Sequence, residues 1–179
     1  MSAAVVPVTV VVAFYSRCGT TETRALTAAV GSVNARALIR MRRMPDPADA
    51  APLEADCAAE SARMRREYVP PTEGDIAGAE ALIVAVPAGF GTGTAVWAPL
   101  TQTLAALASQ NKLQGKVAAI VAGGDEAANA AFAASLRDLG FTLVPPPAAT
   151  DQANPGHLAD VKVHGRLVAE AGRSLKSGR

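Results

Sequence analysis

A chain of 179 residues, half of them hydrophobic, is long enough for one domain with a full core. A formal charge of +1, from 17 basic and 16 acidic residues, argues against electrostatic nucleic-acid binding, which needs a clustered positive field. With two cysteines, Cys18 and Cys57, no basic leader or cleavage pattern in MSAAVVPVTV and no apolar run of membrane-spanning length, the expectation is a cytoplasmic protein. Its thiols would be reduced and it would not insert into a membrane.

Val8 to Tyr15 is almost continuously apolar and rich in β-branched residues, which predicts a central strand covered on both faces. It runs into Ser16-Arg17-Cys18-Gly19-Thr20-Thr21, a hydroxyl-rich loop containing glycine. A helix follows and turns its positive dipole end back on that loop, the arrangement of an anion site. Within the helix, Leu26, Ala29, Val30 and Val33 fall at i, i+3, i+4 and i+7 and predict its buried stripe. Ala35 to Ile39 reads as a short second strand ending in the basic run Arg40-Met41-Arg42-Arg43.

Residues 44–74 differ in kind. Five prolines bracket a polar stretch in which Leu53, Cys57, Met64 and Tyr68 share one side of a helix, and the segment reads as an atypical insertion or flap. Asp75 is positioned to cap a turn before the unbroken apolar strand Ala81 to Val86. A second loop, Pro87-Ala88-Gly89-Phe90-Gly91-Thr92-Gly93-Thr94, leads into a helix that begins near Trp97, where Pro99 is tolerated, and buries Leu100, Leu104 and Leu107. Lys116 to Val121 is the next strand, with a third loop at Ala122-Gly123-Gly124-Asp125-Glu126. A helix facing inward through Phe132, Leu136 and Leu139 ends at Gly140 as C-cap. Phe141 to Val144 makes the last strand, and His157 to Leu175 the last helix, with Leu158, Val161, Val168, Ala171 and Leu175 inward.

Strands alternating with helices specify a three-layer α/β sandwich in a single domain, residues 1–179, around a parallel sheet. Ligands of such sheets bind beyond the carboxyl ends of the strands. The loops rich in Gly, Ser and Thr all follow strands at that one edge.

Three segments carry a family resemblance. Tyr15-Ser16-Arg17-Cys18-Gly19-Thr20-Thr21-Glu22-Thr23 resembles a Y-S-x-x-G-x-x-E-T pattern, Val86-Pro87-Ala88-Gly89-Phe90-Gly91 a T-P-T-R-F-G pattern, and Leu113-Gln114-Gly115-Lys116 an L-x-G-K pattern before the fourth strand. Together they resemble the flavodoxin-fold NAD(P)H:quinone oxidoreductases of the WrbA (tryptophan-repressor-binding protein) type. That resemblance implies a flavodoxin-like five-stranded parallel sheet of order 2-1-3-4-5. It also implies FMN, NAD(P)H as electron donor, a small quinone-like acceptor, and a homodimer or homotetramer. By position, Ser16, Arg17, Cys18, Gly19, Thr20 and Thr21 would hold the phosphate. Pro87, Ala88, Gly89, Phe90 and Gly91 would line one side of the ring, and Ala122, Gly123, Gly124 and Asp125 the other. The chemistry would be borne by the flavin, with no catalytic side chain and no metal.

The chain departs from the pattern at Ala88 and Gly89, and at the third loop, where Val121-Ala122-Gly123-Gly124-Asp125-Glu126 stands in place of a Ser-Thr-Gly run. These departures motivate an alternative: a flavin-free domain of the same fold acting through protein contacts, with Leu53, Met64 and Tyr68 as its apolar surface. A third reading rests on Cys18 and Arg24, which have the C-x5-R spacing of protein-tyrosine phosphatases, with Asp46 available as general acid. Trp97 reads equally as packing or as a flavin stack, His157 and His164 as surface histidines. Arg63, Arg65 and Arg66 read as a solvated helix face.

Overall fold

The computed structural model describes residues 6–91, 93–123, 126–147 and 158–178. The apolar runs form β1 (Val8–Phe14), β2 (Ala37–Arg43), β3 (Ala81–Val86), β4 (Val117–Ala122) and β5 (Thr142–Leu143). They make one parallel sheet in the order β2-β1-β3-β4-β5, with Val10 facing Ile39 on one side and Ala81 on the other. The helices are α1 (Thr20–Asn34), α2 (Ala55–Glu67), α3 (Glu73–Gly78), α4 (Ala98–Ser109), α5 (Glu126–Asp138) and α6 (Leu158–Ser177). The expected flavodoxin-like architecture and strand order are both present.

The period of two along the strands sorts the core into two halves. Val8, Val10, Val12 and Phe14 join Ile83, Val117, Val161 and Val168 on the side of α1 and α6. Val11, Ala13 and Tyr15 join Val84, Trp97, Leu100, Phe132 and Leu136 on the side of α4 and α5.

On α1 only Ala29 of the expected stripe is buried. Leu26, Val30 and Val33 are exposed, and the buried face is Ala25, Ala28, Ala29, Gly31 and Ser32. The reason is closeness of approach. A Cβ added at Gly31 would lie 2.8 Å from the Lys162 carbonyl carbon, and one at Gly165 would lie 2.7 Å from that of Ala28. Only small side chains fit between α1 and α6 at that spacing, so the larger residues fall on the outer face. Ser32 Oγ crosses the seam to donate to Gly165 O at 2.7 Å.

Several smaller expectations shift. Thr72, not Asp75, is the N-cap of α3; Asp75 sits three residues on and completes the capping box. Hydrogen bonds from Arg42 hold the Asp75 carboxyl well below the usual carboxylate range. The last strand is only two residues because Phe141 belongs to the helix stop before it. Gly140 N–H donates to Arg137 O and Phe141 N–H to Leu136 O, a Schellman ending that needs the positive φ of Gly140. Leu158 at the start of α6 is exposed, and His157 lies outside the described residues. His164 is buried rather than a surface residue.

Residues 44–74 do carry a helix, α2, but it packs down rather than offering an apolar face. Met64 and Ser61 are fully buried, Leu53 and Tyr68 are half-buried, and the Tyr68 ring stands edge-on to Phe14 at 5.0 Å. The surface expected from Leu53, Met64 and Tyr68 is spent inside the domain. Among the described residues no helix is long and apolar enough to cross a membrane, and no three or more His, Cys, Asp or Glu residues are grouped to hold a metal.

Candidate binding edge at the carboxyl ends of the strands

The first loop leaves β1 with Ser16 buried, and Ser16 Oγ accepts from Gly19 N–H at 3.0 Å, closing a tight turn. Gly19, at φ 90°, is the N-cap of α1 and has no side chain with which to cap it. The first turn of a 15-residue helix therefore opens on a glycine, and its amide dipoles point outward. A Cβ at Gly19 would make ordinary contact with Glu60 Oε2 at 3.8 Å and Glu22 Oε2 at 3.9 Å, so a side chain would not clash there but two carboxylates border the turn. Thr20 is exposed there, whereas Thr21 is buried.

Cys18 is not free. It is bonded to Cys57 of α2, with the Cα atoms 4.4 Å apart across 39 positions of sequence. Both the expectation of reduced thiols and the phosphatase reading fail on this bridge, because a C-x5-R nucleophile must be a thiolate. Two cysteines in a mid-sized chain say nothing about which loops the fold will bring together. Asp46, cast as the acid in that reading, instead pairs with Arg43 at 2.9 Å and Arg65 at 3.4 Å.

The second loop turns at Pro87–Phe90, where Phe90 N–H donates to Pro87 O at 3.2 Å and Gly89 takes φ 79°. Its shape is pinned from α4: the buried Trp97 donates Nε1–H to Phe90 O at 2.7 Å, so Trp97 is a packing and anchoring residue. Ala88 and Gly89 are exposed. The Phe90 ring lies 5.1 Å from that of Tyr15, and the two border a cleft of about 240 Å³ with Arg17, Pro47, Ala51 and Val96. Arg17 closes one side by donating to Ala51 O.

Of the third loop, Ala122 ends β4 and Gly123 N–H donates to Val86 O at 2.9 Å, whereas Gly124 and Asp125 lie outside the described residues. The Arg24 guanidinium reaches from α1 to Gly123, its Cζ 3.6 Å from where a Cβ would be, and Ala88 N is 3.5 Å from the same point. The structure thus brings Ser16–Thr21, Pro87–Gly91 and Gly123 to one edge, as expected.

Sequence reading missed the polar network beneath α2. The nearly buried Glu22 accepts from Arg63 Nη2 at 2.5 Å and from Tyr68 OH at 2.7 Å, and Arg63 also holds Glu60 at 2.8 Å and Glu67 at 2.5 Å. Burial pushes the Glu22 carboxyl up, but the hydrogen bonds from Arg63 and Tyr68 outweigh it and keep the group below its ordinary range. Burial and then Glu22 push the Tyr68 phenol up to about 12. Arg43, buried under the first loop, donates to Ser16 O at 3.1 Å and Ser61 Oγ at 3.3 Å and lies over the Tyr15 ring at 5.7 Å. Arg63 is therefore a clamp between α1 and α2 with its side chain one-third exposed, whereas Arg65 and Arg66 are exposed as expected. Its partner Glu22 is 41 positions away, and no local pattern marks the pair.

No protein-family model and no curated protein sequence matches the chain. Solved structures do. A WrbA-like flavodoxin from Agrobacterium tumefaciens superposes with TM-score 0.60 at 18% identity, over 93% of this chain and 98% of that one. The two-electron reduced flavodoxin of Megasphaera elsdenii gives TM-score 0.61 at 20% identity, over 90% and 98%. FerB, a flavoenzyme NAD(P)H:(acceptor) oxidoreductase from Paracoccus denitrificans, gives 0.56 at 14%, over 95% and 98%. At these identities the likeness speaks for architecture, and the architecture is that of the flavodoxin-like fold.

Proposed function

We propose that the chain is a flavin-dependent redox protein that holds FMN at the carboxyl edge of its sheet. The observation that carries this reading is the α1 N-terminus, opened by Gly19 at φ 90° with no side-chain cap, where the nearest atoms to an added Cβ are the Glu60 and Glu22 carboxylate oxygens at 3.8 and 3.9 Å. Helix amides offered to solvent beside a glycine turn suit a phosphate dianion. The surrounding charge is balanced: Arg17, Arg24, Arg43 and Arg63 stand against Glu22, Asp46, Glu60 and Glu67, and Arg63 ties down three of those carboxylates. Binding then rests on the amides and on Thr20 more than on net positive field. The half-buried Phe90, backed by the buried Tyr15 ring, supplies aromatic surface beside the cradle, and Ala88 and Gly89 are exposed.

These residues fit the group. The first-turn amides of α1 and the exposed Thr20 hydroxyl would hold the phosphate, with the buried Ser16 shaping the turn through Gly19 N–H; Pro87 to Gly91 and Gly123 would border the ring, and Arg24 would face it with positive charge. When bound, FMN supplies hydride and single-electron transfer; the protein supplies position, electrostatics and exclusion of water. NAD(P)H as donor and a quinone-like acceptor complete the proposal, supported by the three sequence segments. Self-association belongs to the same reading, and the exposed stripe Leu26, Val30 and Val33 on α1 is the apolar surface available for it. A sedimentation experiment that finds only monomer would remove that part.

The decisive variant is Thr20→Asp. An acidic side chain in the first turn favours the helix by about 0.3–1 kcal/mol, so stability should hold or rise. The same charge should repel a phosphate and weaken FMN at least tenfold, about 1.4 kcal/mol, by fluorescence titration. Unchanged affinity would mean that the loop serves only as a helix start. A colourless purified protein that takes up no FMN favours the flavin-free alternative, for which the Arg24 guanidinium beside Gly123 is the supporting observation.

A further inference from the structure

We propose that the Cys18–Cys57 bridge is a second redox centre, a thiol–disulfide exchange site that takes small dithiols as reductants and disulfides as oxidants. Three observations point there. Cys18 is exposed, within reach of a small thiol, and Cys57 is half-buried behind it. Both sulfurs stand at helix N-termini: Cys18 immediately precedes the Gly19 N-cap of α1, and Cys57 is the third residue of the 13-residue α2. A thiolate released at either place lies at the positive end of a helix dipole, which favours the reduced pair and makes each sulfur a good leaving group.

The third observation is that the bond is not the only contact holding α2 to the domain. The fully buried Met64, the Arg63–Glu22 ion pair, the Tyr68–Glu22 hydrogen bond and the Phe14–Tyr68 ring contact also fasten α2. Reduction leaves the two sulfurs facing each other, ready to close again.

The step balances as ordinary exchange. A thiolate of the dithiol attacks Cys18 Sγ; the S–S bond breaks, and its electron pair departs on Cys57 Sγ. The dithiol's second thiolate then attacks its own sulfur in the mixed disulfide, closes a cyclic disulfide and releases Cys18 Sγ. Two electrons pass from the dithiol to the cysteine pair, and the dithiol's two protons go to solvent or to the released sulfurs. A small disulfide reverses the sequence. The charged neighbours are Arg17 on the loop, Glu22 on α1, and Asp56, Glu60 and Arg63 on α2. Arg63 occupies the carboxylates of Glu22 and Glu60, which limits their repulsion of a thiolate.

The experiment uses the purified chain without added flavin, so its outcome is independent of the cofactor reading. Oxidised protein is titrated with dithiothreitol in native buffer, and free thiols are counted by alkylation and intact mass while circular dichroism follows the fold. Two thiols appearing with an unchanged spectrum, and closing again in oxidised glutathione, are expected. Thiols released only in denaturant, or only as the spectrum collapses, would overturn the proposal, as would free cysteines that never bridge in a redox buffer. Cys57→Ser gives the second arm. The pH midpoint for alkylation of the remaining Cys18 should lie below the ordinary thiol value of about 8.5, and a midpoint at or above it refutes the helix-terminus argument.

Discussion

Gly165→Ala sets two well-calibrated effects against each other. Gly165 is buried within α6, and replacing a helical glycine by alanine adds about 1 kcal/mol of helix propensity. Packing opposes this. The new Cβ would lie 2.7 Å from the Ala28 carbonyl carbon and 2.9 Å from its Cα, whereas carbon atoms rest about 3.5–4.0 Å apart. The obstacle is backbone, so no rotamer change relieves it, and α6 must move away from α1 by about 1 Å. Overpacking of this kind costs about 1–3 kcal/mol. The same movement stretches the 2.7 Å bond from the buried Ser32 to Gly165 O, worth about another 1 kcal/mol. The net expectation is a loss of about 1–3 kcal/mol, a fall in Tm of roughly 3–10 °C for a domain of this size. Urea or thermal unfolding reads it, with Gly78→Ala as control, since a Cβ at Gly78 would meet nothing within 4 Å. A Gly165→Ala protein as stable as its parent would refute the close-approach argument for the buried face of α1.

Trp97→Phe keeps the ring packing but removes the indole N–H from Phe90 O; the lost bond and lost volume should cost about 2–4 kcal/mol in urea unfolding. Amide exchange at residues 88–91 should quicken in the same variant, and unchanged exchange would mean that the second loop is not anchored from α4. Acid should weaken the fold in two stages. The buried His164 donates from Nε2 to Val144 O at 2.9 Å, and burial depresses its pKa below the ordinary 6.5. The unfolded chain then binds the extra proton first, so that contribution is complete above about pH 6.5 and is lost as pH falls. Glu22 and Asp75, both held below their ordinary ranges, contribute above about pH 4.5 and lose their share below it. Unfolding free energy measured against pH should show both stages, and His164→Gln should flatten only the first.

The strands were legible because a doubly covered strand must be apolar throughout, and Val8–Phe14 and Ala81–Val86 are. From their alternation with helices came the layer order and the single edge at which Gly19, Gly89 and Gly123 meet. These are local facts: each loop follows its strand by chain connectivity. What local pattern could not decide was anything set by two distant segments at once. The face of α1 was chosen by how near α6 approaches, and small residues won that face although Leu26, Val30 and Val33 are the more hydrophobic set. The Cys18–Cys57 bond, the clamp of Arg63 on Glu22 and the seat of Arg24 beside Gly123 depend on where the β2–β3 crossover lays α2 and on how the loops converge. A residue's own periodicity carries no information about a partner some 40 positions away; only folding brings the two within bonding range.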